Sequence, residues 1–435
     1  MKSLRGQRVT VMGLGRFGGG IGVARWLCGQ GVKVLVTDQD SAQNLGHSIA
    51  KLTGLPIEFR LGEHREEDFT NTDLVVASPA VAPNNEFLGA ARKAGVQITT
   101  EICFFIERCP ATIFGVTGTK GKSTTSAMLA RILASRYTVH LGGNIGVSLL
   151  ESLDTIGKTD LVVLELSSFM LEYLKADQWS PHVAVVTMIG QDHIAWHGSA
   201  AAYVEAKRSI LRFQRADDYA VINAADPGAL ALAANSGGAG RVIPYSLPSA
   251  PMELKLPGRH NQLNAEGAAA AAKIVGISRE QSQEILRDFT GLPHRLQLAH
   301  EAAGVRWFDD SIATIPEAAV AALEAFAPKT VIQIVGGKDK GLPAQALCAA
   351  LIQRAKAVLC IGATGAQLAD MLEQSQYQGC AAIYHCGDLR TAVSVARRIA
   401  VSGDVVLLSP GYASYDQFVN FEQRGDQFAA IAKES

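Results

Sequence analysis

Short aliphatic and β-branched runs alternate along this chain with longer, Ala- and Leu-rich stretches. Runs at 7–13, 32–37, 73–79, 113–117, 160–168, 182–189, 305–308, 331–335, 357–361 and 405–408 read as strands. Helices are expected near 23–30, from Lys122 to about Arg136, over 200–213, up to about Val275, from Pro316, and in the polar segment that follows Ser414. Strand and helix thus alternate throughout, which predicts an α/β protein built on parallel sheets. In such sheets the loops after the strands share one edge, where ligands bind.

One of these loops stands out. The run Ile113-Phe-Gly-Val-Thr-Gly-Thr-Lys-Gly-Lys-Ser-Thr-Thr125 places a Gly-rich turn between a strand and a helix. Gly118 and Gly121 let the backbone fold closely, so that N–H groups and a helix N-terminus point at an anion. Lys122 would reach the β- and γ-phosphates of a nucleotide, and the Ser123 hydroxyl would hold Mg²⁺. The bland alternative is a Gly-rich turn with an exposed lysine. Val116 stands where the common phosphate loop has its first glycine.

Two further strand ends should lie beside this loop. The strand 160–168 carries Glu165 near its end, and 182–189 runs into Gly190-Gln-Asp-His193. A buried glutamate is costly unless it is paired or bound to a metal. Glu165 is therefore a candidate metal ligand, with a salt-bridged core carboxylate as the bland alternative. His193, beside Asp192, is either a ligand or a structural histidine. Lys207 carries no signal of its own on its helix. The segment Gly258-Arg-His-Asn-Gln-Leu-Asn264 offers side chains for a base or phosphate, or simply caps a helix.

The first strand leads into Gly13, Gly15, Gly18, Gly19, Gly20 and Gly22, and the second strand ends at Asp38. This βαβ pattern suits a dinucleotide, the diphosphate of another nucleotide, or tight packing alone. A break at Cys109-Pro110 and a turn at Gly291-Leu-Pro-His-Arg295 divide the chain into 1–108, 109–293 and 294–435. The length of 435 residues suits about three domains.

Composition removes several classes. Hydrophobic residues make up 48% of the chain and the net charge is −1, so a large core is available and no nucleic-acid or membrane-surface partner is indicated. No apolar run is long enough to span a bilayer. Met1 to Gly6 leads straight into a strand, and no secretory leader is expected. The seven cysteines are scattered without a Cys-x-x-Cys pair, as for free thiols in a reducing cytoplasm.

Taken together, these stretches resemble the Mur ligases, and within them the branch that adds glutamate to UDP-N-acetylmuramoyl-L-alanine. The resemblance runs almost the whole chain. It is carried by Thr117-Gly-Thr-Lys-Gly-Lys-Ser-Thr124, Gly143-Asn-Ile-Gly146, Leu164-Glu-Leu-Ser-Ser-Phe169, Asp192-His193, Ala206-Lys207, His260-Asn-Gln-Leu-Asn264, Gly291-Leu-Pro-His-Arg295, Asp310-Ser311, Ser409-Pro410 and Phe421-Glu-Gln-Arg-Gly425. The shortened phosphate loop is also the family's form.

The resemblance implies three domains: a Rossmann-like one for the UDP-sugar, a central P-loop ATPase-type parallel sheet, and a Rossmann-like one for the incoming amino acid. It implies ATP-driven amide formation through an acyl phosphate, by a monomer in cytoplasmic peptidoglycan precursor synthesis. Lys122, Glu165, His193 and Lys207 would be catalytic. ATP would be held by Gly118, Thr119, Lys120, Gly121, Lys122, Ser123, Thr124, Asn264, Arg295 and Asp310. Two Mg²⁺ ions are implied, on Ser123 and Glu165 and on Glu165, His193 and a carbamylated Lys207. Gly15, Asp38, Gln39, Ser78 and Asn144 would face the UDP-sugar, with Asp38 and Gln39 near the uracil. Thr314, Lys340, Ser414 and Phe421 would surround the acceptor glutamate.

Some positions depart from the family pattern. The Gly13–Gly22 loop is long, and Lys120 replaces a common Asn. Ile312 and Ile315 stand where D-glutamate-adding members usually have Lys and Asn, and Gly411, Tyr412 and Tyr415 differ around Ser414. These changes cluster at the acceptor: the resemblance favours D-glutamate, and the departures make L-glutamate the alternative. Other readings are a folate-type polyglutamate ligase, a nicotinamide-dependent oxidoreductase built on Gly13–Asp38, and a non-catalytic nucleotide-binding protein.

Overall fold

A computed structural model describes residues 4–15, 19–145, 148–339, 341–374 and 381–434. Gly18, Gly146 and Lys340 of the motifs above lie outside them. Among the described residues the chain forms three sheets, and no helix is long and apolar enough to cross a membrane.

The first sheet contains β1 (Arg8–Met12), β2 (Lys33–Asp38), β3 (Ile57–Leu61), β4 (Leu74–Ala77) and β5 (Gln97–Thr100), in the order β3-β2-β1-β4-β5. Every pairing is parallel. The chain reverses its direction of winding between β1 and β4, so the loops after these two strands border a crevice. Gly13 opens the first of these loops at φ +92°, and a Cβ there would lie 2.9 Å from Ser78 Cβ after β4.

The second sheet contains β6 (Thr112–Thr117), β7 (Val139–Gly143), β8 (Leu161–Glu165), β9 (Val183–Val186), β10 (Tyr219–Asn223) and β11 (Arg241–Tyr245), in the order β11-β10-β9-β6-β8-β7. It too is wholly parallel. Phe114, Val116, Val162, Val163, Val185 and Val186 are fully buried, as strands covered on both faces require. The phosphate loop follows the central strand β6, between the ends of β8 and β9. One apolar cluster joins side chains of both sheets, from Val11 and Phe105 to Val162 and Leu171.

The third sheet contains β12 (Gln297–Ala302), β13 (Val305–Asp309), β14 (Val331–Gly336), β15 (Ala355–Ile361), β16 (Ala382–Gly387) and β17 (Val405–Leu408), in the order β12-β13-β17-β14-β15-β16. Among the described residues, only β12 is antiparallel to its neighbour in this sheet. Two compact units result, Met1–Pro251 with Leu263–Ile285, and Met252–Gln262 with Leu286–Ser435.

The structure revises two helix boundaries. The helix Gly19–Gly29 starts before the expected Val23. Glycine disfavours helix, but at Gly20 a Cβ would run into Leu14 O and lie 2.6 Å from Gly13 O. Close contact between loop and helix overrides propensity there. The helix Lys122–Leu133 ends before the expected Arg136, where Ser135 Oγ donates back to Ile132 O at 2.7 Å. A serine bonded to local backbone in this way competes with helix continuation.

Candidate active site

The phosphate loop is braced by backbone and hydroxyl groups around it. Thr119 N donates to Met188 O at 2.6 Å. Thr187 Oγ1 lies 2.6 Å from Lys120 O and 3.2 Å from Thr117 O. Gly190 N donates to Thr119 Oγ1 at 2.8 Å, and that hydroxyl also meets Tyr203 Oη at 2.8 Å. At Gly118 (φ +156°) a Cβ would overlap Thr187 Oγ1.

Gly121 precedes the helix Lys122–Leu133 at φ +87° and has no side chain to cap it, a helix N-terminus of the kind that suits an anion. A Cβ on Gly121 would lie 2.5 Å from Asn264 Oδ1, which also accepts from Thr125 Oγ1 at 3.3 Å. Asn264 is thus packed against the end of the loop. Gly121→Ala combines this clash with a left-handed backbone and is expected to cost about 1–3 kcal/mol of stability. It should also weaken nucleotide binding. Thermal denaturation and calorimetric titration with Mg²⁺·ADP check both.

Lys122 Nζ folds back over the loop, donating to Gly118 O at 2.9 Å and Thr119 O at 3.2 Å. Ser123 beside it is half-buried, and Thr124 is buried.

Glu165 ends β8, in register with Val116 of β6. It is 1% exposed. Its Oε1 accepts from Asn144 Nδ2 at 2.7 Å, and its carbonyl accepts from Asn144 N at 2.8 Å. Gly143 at φ +89° makes this approach possible, because a Cβ there would strike the Glu165 carbonyl. Among the described residues, Glu165 Oε2 is buried with no hydrogen-bond partner. A carboxylate oxygen in that state is costly unless a cation compensates it.

Lys207, on the helix Ala200–Arg212, is also 1% exposed. Its Nζ donates to Gly118 O at 2.9 Å and lies 3.4 Å from Thr117 Oγ1. Burial, followed by the charge of Lys122, pulls its pKa well below the usual lysine value, against the opposing pull of Asp192 and Glu165. Burial thus favours the uncharged form of an amine in contact with the phosphate loop.

His193 is half-exposed and holds a left-handed backbone at φ +50°. Its ring sits 4.7 Å from that of Phe169, and its Nε2 lies 3.5 Å from Asp192 Oδ2. Among the described residues no three His, Cys, Asp or Glu side chains gather as a metal site. The donor that suits a cation is the unpartnered Glu165 oxygen.

His197 escaped the sequence reading. Its Nε2 lies 2.9 Å from Ser168 Oγ, and burial lowers its pKa, followed by the charges of His193 and Lys207. A lone His on a short helix gave no signal for it.

The residues expected to face the UDP-sugar separate. Gly15, Ser78 and Asn144 line one cavity of about 340 Å³, with Glu101, Ser148 and Ser167. Gln39 lines another of about 540 Å³, with His64, Asn84, Trp196 and His197. Asp38 holds the glycine loop itself: its Oδ2 accepts from Leu14 N at 2.8 Å and Gly15 N at 3.1 Å, and its Oδ1 from Asp40 N at 2.9 Å.

In the second unit, Arg295 lies in a tight turn bridged to Leu292. Asp310 is buried, accepting from Leu296 N at 3.0 Å and Ser409 Oγ at 2.7 Å. Burial pushes its carboxyl up to about 7. Thr314 follows β13 in the loop Asp310–Thr314, and the buried Ser414 follows β17. Phe421 begins the helix Phe421–Lys433, with its ring 6.1 Å from that of His294.

Three family models match the chain: Mur ligase MurD-like, N-terminal domain over 7–100, Mur ligase middle domain over 116–251, and Mur ligase, glutamate ligase domain over 294–411. A UDP-N-acetylmuramoylalanine--D-glutamate ligase of Roseiflexus sp. (strain RS-1) is 40% identical, covering 99% of each chain. The ligase of the same name from Symbiobacterium thermophilum is 34% identical over 98% of each. Among solved structures, the UDP-N-acetylmuramate-alanine ligase of Thermotoga maritima superimposes with a TM-score of 0.61 at 23% identity, covering 98% of each chain. That last match shares the fold. With full-length relatives above 30% identity and family models along its length, the chain belongs to the Mur ligase family.

Proposed function

We propose that this protein is an ATP-dependent ligase that joins glutamate, D-glutamate in preference to L-glutamate, to the alanyl carboxylate of UDP-N-acetylmuramoyl-L-alanine. It acts as a monomer in cytoplasmic peptidoglycan precursor synthesis. The observation that carries this reading is the arrangement of half-buried Lys122 with buried Glu165 and Lys207 around the loop after β6. The full-length relatives named as D-glutamate ligases support the choice of substrates.

In this reading, residues 1–108 bind the UDP-sugar, 109–293 bind ATP, and 294–435 bind glutamate. An alanyl carboxylate oxygen attacks the γ-phosphorus, and the bond from that phosphorus to the ADP oxygen breaks. The glutamate amine then attacks the acyl carbon, loses a proton, and inorganic phosphate leaves as the amide forms. Carboxylate and triphosphate are both anions, so positive charge must be concentrated where they meet. The Lys122 ammonium and the uncapped helix N-terminus supply part of it. Glu165 with Ser123, and Glu165 with His193 and a carbamylated Lys207, are the groups that would hold two Mg²⁺ ions. Bound there, Mg²⁺ would neutralise phosphate charge and orient the attacking carboxylate. Lys207 suits carbamylation because its buried amine favours the uncharged form that reacts with CO₂.

By the resemblance, Asn264, Arg295 and Asp310 would contact ATP, and Thr314, Lys340, Ser414 and Phe421 the acceptor glutamate. Phosphate release with UDP-N-acetylmuramoyl-L-alanine, ATP, Mg²⁺ and each glutamate enantiomer tests the assignment. The expected result is release with D-glutamate well above that with L-glutamate. Faster release with L-glutamate would reverse the acceptor assignment, and none with either would refute the reaction.

A further inference from the structure

We propose that Asp309 is a positioning residue that ties the turn carrying Arg295 to the start of the helix Phe421–Lys433, so that nucleotide-side and acceptor-side groups of the second unit hold one geometry. This inference rests on the functional reading above. Asp309 ends β13 and is 1% exposed. Its two carboxylate oxygens serve different partners. Oδ2 pairs with His294 Nδ1 at 2.7 Å, and Oδ1 accepts from Ser311 N at 2.9 Å.

On the His294 side, the backbone needs holding. His294 at φ +59° and Leu296 at φ +45° flank Arg295, and both are left-handed without being glycine. Such conformations persist only where surrounding contacts fix them. The Asp309–His294 pair is one such contact. Further contacts are Ile312 N donating to His294 O at 3.1 Å, Leu296 N to Asp310 Oδ1 at 3.0 Å, His294 N to Gln297 Oε1 at 3.2 Å and Arg295 N to Leu292 O at 3.1 Å. The hydrogen bond to Asp309 raises the His294 pKa against the effect of burial, and Asp426 and Glu422 act in the same direction as the bond.

On the Ser311 side, the contacts run to the last helix. Ser311 Oγ donates to Phe421 O at 2.8 Å. Arg424 is fully buried and clasps the same residue, with Nε 2.9 Å from Ser311 Oγ and Nη2 2.8 Å from Ser311 O. Its Nη1 reaches Tyr412 O at 3.2 Å. The helix packs directly on the pair: at Gly425 a Cβ would overlap His294 Nδ1 and lie 2.5 Å from Asp309 Oδ2. Asp309 is the residue common to both sets of bonds.

The test is the steady-state KM for ATP and for glutamate in the full-length chain. His294→Ala and Asp309→Asn remove the charged pair and leave an acceptor for Ser311 N. Each is expected to raise the ATP KM about tenfold and the glutamate KM less than about twofold. Asp309→Ala removes both bonds and should raise both KM values about tenfold. Adding His294→Ala to it should change the ATP KM no further, because the bond is already gone. A merely structural ion pair would lower the denaturation midpoint and leave the two KM values unsplit. If Asp309→Ala does not fold, His294→Ala and Asp309→Asn decide the matter. Equal rises of both KM values in His294→Ala, or none, overturn the proposal. A wild-type chain inactive with either glutamate enantiomer overturns the functional reading first, and this proposal with it.

Discussion

Lys207→Ala is expected to release phosphate at least about 10³-fold more slowly than wild type, and added formate or acetate should restore part of the loss. The argument starts from burial. An ammonium at 1% exposure, facing the Gly118 carbonyl and repelled by Lys122, is held against its own charge. Its pKa falls, so between the folded and the unfolded value the unfolded chain binds more protons. Stability therefore rises as pH rises through that interval, and acidification costs the native state. Lys207→Met removes this burden. It should flatten the pH dependence of the thermal midpoint and leave the midpoint at pH 7 no lower than wild type. A residue that burdens the fold in this way is expected to act in chemistry. A carbamate would convert the amine to an anion beside Glu165, and a small carboxylate entering the space left by Lys207→Ala would replace it. Full activity of Lys207→Ala without additive would remove the carbamate from the mechanism. Loss of activity without rescue by any small carboxylate would restrict Lys207 to a structural role.

Lys207 also marks where sequence reading stopped. The strand-loop-helix order at Thr112–Leu133 and the strand carrying Glu165 were legible because each is a local pattern with its own periodicity. Parallel pairing then forced their ends together, and the register Val116 to Glu165 bears this out. Lys207 on its helix looked like any solvated lysine, and only resemblance singled it out. Its contact with Gly118 spans 89 residues of sequence, a separation that no local pattern encodes. Asp309 and His197 carry no local signal for the same reason, and Arg424 stands out only as part of the motif Phe421-Glu-Gln-Arg-Gly425. Each gains its role from a partner supplied by another element: His294, Ser168 and Ser311. Asp38 shows a different limit. An acidic residue at the end of β2 was legible as a ligand-facing group, yet its oxygens bond the loop backbone at Leu14 and Gly15. The helix starting at Gly19 is a third case, where packing against the loop overrode a propensity that favoured a later start.

Glu165→Gln should show the opposite balance between stability and activity from an ordinary core substitution. Glutamine matches the side chain in size, and its carbonyl oxygen can still accept from Asn144 Nδ2. What disappears is the buried, unpartnered Oε2. A neutral amide left without a partner costs about 1–3 kcal/mol, whereas a charged oxygen in the same place costs more. Without ligands the variant is therefore expected to denature at the wild-type temperature or above it. With Mg²⁺·ADP the order should reverse, because a ligand that binds only the native state raises the midpoint in proportion to its affinity. The wild type should gain several degrees and the variant little. Phosphate release should fall about 10³-fold, the scale of losing a group that organises charge at a transferring phosphoryl. Thermal scans with and without Mg²⁺·ADP, run beside the phosphate assay, separate folding from chemistry. An active Glu165→Gln, or one stabilised by Mg²⁺·ADP as much as wild type, would mean that this oxygen faces no cation and that the charge between carboxylate and triphosphate is balanced by other groups.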